Sequence, residues 1–125
     1  MSLTQSEYLE VKEIRGKGRG VIARQEIPAN TVIERAPVLV LKDDEADDST
    51  LVDYVYHWGR GTVALVLGYG SLYNHSYSPN ARYDDIGRRT KVFTSLRRIA
   101  KGEEITINYL GDPDAKDELH FAVRD

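Results

Sequence analysis

The stretch LYNHSYSPNARY, residues 72–83, sets two asparagines, a histidine, two serines and a proline between apolar runs. A tight turn uses only one or two such residues. A structural account has Asn74, Ser76 and Asn80 satisfying backbone groups, with Pro79 fixing its own φ. That account leaves His75 and the density of amides unexplained. Amides that aim donors and acceptors in fixed directions suit the holding of a polar ligand.

Reading outward, YLEVKEI and GVIARQEI (residues 8–14 and 20–27) alternate apolar and polar residues as half-buried strands do, with the glycine-rich RGKGRG between them. PANTVIERAPVLVLK (28–42) reads as a turn and then an extended segment, in which Pro37 must lie where no ladder hydrogen bond is needed. DDEADDS (43–49) reads as a solvated loop, because its like charges repel. LVDYVYHWG (51–59) fits one or two helical turns, whereas TVALVLGYG (62–70) is a buried strand or a short buried helix that periodicity does not separate. Downstream, TKVFTSLRRI (90–99) is a strand, AKGE a turn, and EITINY (104–109) a last strand. Short strands at close spacing with glycine-bearing turns predict a mostly β fold with little helix.

The chain has 125 residues, which suits one domain with a single modest core. The absence of cysteine excludes disulfides, thiolate metal clusters and a cysteine nucleophile. His57, His75 and His120 are scattered without metal-ligand spacing, so no metal is expected. A net charge of −3 argues against a grip on nucleic-acid phosphates and favours a basic partner. No apolar run is long enough to span a membrane, and MSLTQSEYLEV lacks the form of a secretory signal, so cytoplasmic residence is the expectation. Eight tyrosines stand against two phenylalanines. Tyr54, Tyr56, Tyr69, Tyr73, Tyr83 and Tyr109 have the faces and hydroxyls to line a channel for an amine-bearing group, although each alone also fits the edge of a core.

Taken in order, GKGRGV (16–21), NHSYSPNARY (74–83) and GEEITINY (102–109) resemble the motifs of the SET domain family of protein lysine methyltransferases. The resemblance covers residues 8–110 and is closest to the minimal viral and bacterial type without zinc-binding flanks. It implies a mostly β, β-clip-like fold of several small sheets, with knot-like threading near the C-terminus. Residues 1–7 would be a poorly ordered start, and 111–125 a tail covering the cofactor. The implied activity is transfer of a methyl group from S-adenosylmethionine to a lysine amine of a basic, histone-like protein, leaving S-adenosylhomocysteine. The alternative is an inactive SET-like module that only binds peptide or cofactor. A homodimer, in which one subunit helps build the other's peptide groove, is the assembly suggested by family analogy.

By matching positions, the resemblance places Gly18, Arg19 and Gly20 along the cofactor. It sets Asn74 at the cofactor's amino-acid end and the backbone of His75 against its adenine. Tyr109 would stand beside the transferred methyl, and Tyr83 in the lysine channel. No tyrosine occurs in VIERAPV, where several members carry a channel tyrosine, so Tyr54 or Tyr56 would take that place. With the cysteine-rich C-terminal segment absent, Phe121 or His120 is left to cover the adenine. Tyrosine at position 83, where phenylalanine also occurs in the family, would limit transfer to one or two methyl groups. Peptide would add as an extra strand along an exposed edge. Asp43 to Asp48, or the acidic tail, would bias binding toward basic segments.

Overall fold

A computed structural model describes residues 5–87 and 89–117. Strands β1 (Leu9–Ile14) and β2 (Gly18–Ala23) form an antiparallel hairpin, with Leu9 opposite Ala23 and Ile14 opposite Gly18. The glycine-rich turn between them needs left-handed backbone at Gly16 (φ 81°) and Gly18 (φ 76°), which glycine adopts without Cβ strain. The two alternating segments thus pair with each other as their pattern predicts.

The main sheet is built on the long strand β3 (Val32–Lys42). Its first half, Val32 to Pro37, pairs with β8 (Thr90–Ser95), and its second half, Val38 to Lys42, pairs with β5 (Thr62–Val66). Strands β4 (Val55–His57) and β7 (Ala81–Asp85) complete the order β4-β5-β3-β8-β7, antiparallel throughout. Pro37 sits at the handover between the two ladders. Its carbonyl accepts from Leu67 N, and the next amide, Val38 N, donates to Arg89 O. A proline is tolerated inside a central strand here because no ladder asks for its missing N–H. A bulge between Val32 and Glu34 turns two consecutive residues, Ile33 and Glu34, into the interior.

The C-terminal motif closes the molecule. Residues 103–105 lie along the free edge of β2 through Ala23 N to Glu103 O and Ile105 N to Val21 O. Two-residue strands β6 (Asn74–His75) and β9 (Thr106–Ile107) then pair in parallel. After β9 the chain turns back onto the loop that follows β6. Tyr77 Oη donates to Asp117 O, and Lys116 Nζ donates to Tyr77 O. Asn108 Nδ2 donates to Ala115 O. The closing strand is thereby enclosed between the hairpin, β6 and residues 108–117, which is the knot-like threading of the fold. Val21, Ile27, Ile33, Tyr73, Phe93, Ile99, Ile105 and Ile107, all buried, make the core beneath it.

Asn80 holds this closure. It is buried, its Nδ2 donates to Glu104 O (2.8 Å), and its Oδ1 accepts from Thr106 N (2.9 Å). One side chain thus stands in for a neighbouring strand. Asn80→Ala leaves the buried Thr106 amide and the half-buried Glu104 carbonyl without this partner, with an expected cost of about 2–4 kcal/mol. A urea unfolding midpoint compared with wild type checks it.

Local structure departs from the sequence expectation in three places. LVDYVYHWG is not helical beyond a 3-10 turn at Thr50–Asp53 and passes into β4, because Val55–His57 find a partner strand in Val63–Leu65. DDEADDS is not simply a loop: Asp43–Ala46 form one helical turn, α1, with Lys42 N donating to Glu45 Oε1 and Ala46 buried beneath. EITINY forms ladder hydrogen bonds on both sides but is a regular strand only at Thr106–Ile107. The ambiguous TVALVLGYG is strand β5, followed by a 3-10 turn at Gly70–Leu72. Of the start expected to be poorly ordered, Ser6 Oγ donates to Ile33 O and Gln5 Nε2 to Tyr69 Oη.

Candidate active site

The three motifs meet at β6. Asn74 Nδ2 donates to Arg19 O (3.2 Å) and to Glu104 Oε2 (2.7 Å). Both partners are acceptors, which fixes which end of the amide is nitrogen. The other Glu104 oxygen takes Lys17 Nζ at 2.6 Å. Gly20 lies under this group, where an added Cβ would come within 2.8 Å of both Asn74 Nδ2 and Glu104 Oε2 and within 2.3 Å of Ile14 Cδ1. Arg19 and Gly20 are thus brought to Asn74 by backbone and glycine shape, whereas a Cβ at Gly18 would meet nothing within 4 Å, and Glu104 is a partner that the motif reading did not single out. With both amide protons spent on Arg19 and Glu104, the pair presents acceptors, which suit the ammonium of an amino-acid ligand end.

His75 is buried, with its ring between Tyr77 and Tyr109 at centroid distances of 4.5 and 5.2 Å. Its Nδ1 accepts the backbone N–H of Tyr109 (2.9 Å), which puts the imidazole proton on Nε2. The side chain therefore fixes the backbone of Tyr109, a role that the expectation for His75, centred on its main chain, did not include. Tyr109 Oη donates to Tyr73 O. Tyr73 in turn is fully buried, packs on Phe93 and donates its hydroxyl to Glu34 Oε1 (2.8 Å). Glu34 Oε2 accepts from Tyr69 N, and a Cβ at Gly68 would lie 2.5 Å from that oxygen. Burial raises the Glu34 carboxyl, and the Tyr69 amide and Tyr73 hydroxyl pull it partly back. Glu34 and Tyr73 are supports behind Tyr109. A lone Glu in an apolar strand pattern was the signal available for the first of them.

Tyr56, Tyr83 and Tyr109 form an aromatic cluster, with Tyr56 5.0 Å from Tyr83 and 6.4 Å from Tyr109, both edge to face. Tyr83 Oη donates to Tyr109 O (3.0 Å) and Tyr56 Oη to Gly70 O (2.7 Å). Burial pushes the phenols of Tyr83 and Tyr109 up to about 12, with Asp85 adding to the first and Glu104 to the second. The Tyr56 phenol is raised as well, chiefly by burial. All three are neutral phenols at physiological pH. Tyr54 ends the 3-10 turn, its N–H bonded to Leu51 O, and makes no ring contact with this cluster among the described residues. Of the two candidates for the absent channel tyrosine, Tyr56 is the one the fold brings to the others. Tyr69 and Tyr73 belong to the core edge and the core. Phe121 and His120, expected over the adenine, lie outside the described residues. Among the described residues no group of three or more His, Asp or Glu is placed to hold a metal.

The SET domain family profile matches residues 18–110, which hold the second and third motifs, the first from Gly18 onward, and Asn74, His75, Glu104 and Tyr109 of this site. The chain belongs to the SET domain family of protein-lysine methyltransferases. The SET domain here is 38% identical over 121 residues to a histone-lysine N-methyltransferase of Schizosaccharomyces pombe specific for lysine 37 of histone H3, with 93% of this chain and 82% of that protein covered. It superposes with a TM-score of 0.71 on the crystal structure of a Plasmodium falciparum protein assigned as a histone methyltransferase. That match has 31% identity and covers 86% of this chain and 95% of the other.

Proposed function

We propose that this SET domain binds S-adenosylmethionine between the Gly18–Gly20 start of β2 and β6, and methylates lysine side chains of a basic, histone-like protein segment. The observation that carries the reading is the meeting of Asn74 with Glu104 and of His75 with Tyr109, residue pairs 30 and 34 positions apart, at the closing strand. The residues fit the cofactor: the missing Cβ of Gly20 lets Asn74 and Glu104 close onto the glycine segment, and Asn74 Oδ1 and the Glu104 carboxylate set acceptors side by side for an ammonium group. When bound, the cofactor supplies a methyl group activated by a positive sulfur. Asn74 and Glu104 would hold its amino-acid end, and Arg19 would lie along it.

The rest of the chemistry is alignment and exclusion of water. Tyr109 spends its hydroxyl proton on Tyr73 O, so its oxygen would turn acceptor density, and not a donor, toward a partly positive methyl. Tyr56 and Tyr83 wall a lysine channel. A lysine amine has no free lone pair at its reference pKa of about 10.4, and a dry aromatic channel beside positive charge lowers that value. In-line placement of amine and methyl supplies several kcal/mol. No dedicated base is needed, and the neutral phenols are not suited to be one.

Calorimetric titration of S-adenosylmethionine tests the cofactor half of this reading. Wild type is expected to bind, and Asn74→Ala to bind at least about tenfold more weakly, the loss of one hydrogen bond to a charged group. Equal binding by both proteins overturns the assignment of Asn74. Cofactor binding without methylation of any histone would instead identify a SET-like binding module. The tether of Tyr83 Oη to Tyr109 O narrows the channel, so Tyr83→Phe is expected to shift products toward higher methylation states. Intact-mass spectrometry of a histone H3 peptide reads the outcome.

A further inference from the structure

The aromatic cluster already contains a lysine. Lys91, on β8, has a fully buried side chain whose Nζ lies 4.2 Å from the ring centroid of Tyr83, 4.5 Å from that of Tyr56 and 5.6 Å from that of Trp58. Its proton is held by Asp85 Oδ1 at 2.6 Å. A lysine is almost never fully buried unless paired, and here the pair is lopsided, because the Asp85 side chain is 42% exposed. Water screens the carboxylate more than the ammonium, so the interior side of the pair is net positive. Burial pulls the ammonium below the ordinary lysine value, and Asp85 followed by Asp84 pushes it back.

Among the described residues, the charged and titratable groups around it come from three strands and the closing segment. From β7 come Tyr83, Asp84 and Asp85, and from β4 comes Tyr56. From β3 the residue opposite in register is Ala36, with Glu34 two positions away and acting on Tyr56. Tyr109 stands beyond Tyr56. Two of the three rings that hold Lys91 are thus the rings that wall the lysine channel, and an aromatic face attracts a cation.

We propose that Lys91 is a specificity-determining residue of the lysine channel. Its ammonium, fixed over Tyr56, Tyr83 and Trp58, denies those faces to a second cation, so the channel accepts the neutral substrate amine and disfavours protonated and methylated ammonium forms. The proposal rests on the lysine-channel reading above. It gives the buried cation a consequence that packing alone does not: the wall of a site for an amine is itself electropositive, which lowers the proton affinity of the bound amine and speeds departure of the charged product.

The test is the pH dependence of kcat at saturating histone H3 peptide, which reports groups in the enzyme–substrate complex. For Lys91→Met, which keeps length and removes charge, the rise of kcat is expected about one pH unit higher than in wild type. Binding of the monomethylated peptide is expected to tighten several-fold, and Lys91→Arg to restore both readouts toward wild type. A merely structural lysine would lower activity in Lys91→Met without moving the profile, and that result overturns the proposal. If Lys91→Met does not fold, wild type alone decides. Peptide with norleucine in place of the target lysine must bind more tightly at neutral pH than the trimethyl-lysine peptide, and the reverse order overturns the proposal. Methylation of Lys91 itself would also overturn it, since the ammonium would then be a substrate and not a wall. A wild type that binds cofactor but methylates no peptide fails the parent reading instead.

Discussion

Tyr109→Phe is expected to lower kcat by roughly 10²–10³-fold, the range found when one directed polar contact to a reacting centre is removed. The ring keeps its place against Tyr56 and His75, and the backbone N–H keeps its bond to His75 Nδ1. Only the hydroxyl bonded to Tyr73 O is lost, so stability should change by about 1 kcal/mol. The shape of the pH–rate profile should not change. Burial, with Glu104 adding, holds the Tyr109 phenol at about 12, above the unfolded value near 10. A group raised in the folded state contributes stability fully below the unfolded value, and that contribution is lost as pH climbs from about 10 through about 12. Over the working range the phenol is neutral in wild type, so its removal scales the rate without removing a titration. Rates from pH 7 to 9 in both proteins check this, and a limb that disappears in the variant would make Tyr109 a base.

His75→Ala is expected to cost about 3 kcal/mol and most of the activity. The imidazole fills space between Tyr77 and Tyr109, and its Nδ1 is an acceptor for the Tyr109 amide. Alanine leaves a cavity and an unpaired buried N–H, and the two costs combine. Asn74 next to it keeps its bonds to Arg19 and Glu104, so cofactor affinity should fall less than turnover. Thermal unfolding together with a titration of S-adenosylmethionine separates these effects. Affinity lost in parallel with turnover would move His75 from the support of Tyr109 to the holding of the cofactor.

The hairpin, β3 and β8 were legible because period-two alternation and glycine turns are local signals, and each of these segments pairs with a near neighbour or with one long strand. The stretch 51–59 was misread because a four-residue 3-10 turn running into a three-residue strand carries too little periodicity for either pattern. The shortness of β9 was hidden for a related reason. Residues 103–107 divide their hydrogen bonds between β2, Asn80 and β6, so the segment reads as one strand while serving three partners. Asn74, His75 and Tyr109 stood out by motif, yet the bond from Tyr109 N to His75 Nδ1 depends on threading that no composition reveals. Glu34, Glu104 and Lys91 lay in plain strand patterns. Their roles come from a bulge, a closing strand and a cluster of rings, each a tertiary fact.

The most direct measurement is transfer of label from methyl-labelled S-adenosylmethionine to recombinant histone H3, with the modified residue located by mass spectrometry, in wild type and Tyr109→Phe side by side. Label on a lysine side chain with wild type, reduced at least about a hundredfold by the substitution, is the predicted result. A wild type that binds cofactor yet labels no lysine, or a Tyr109→Phe protein that labels as fast as wild type, would contradict the account.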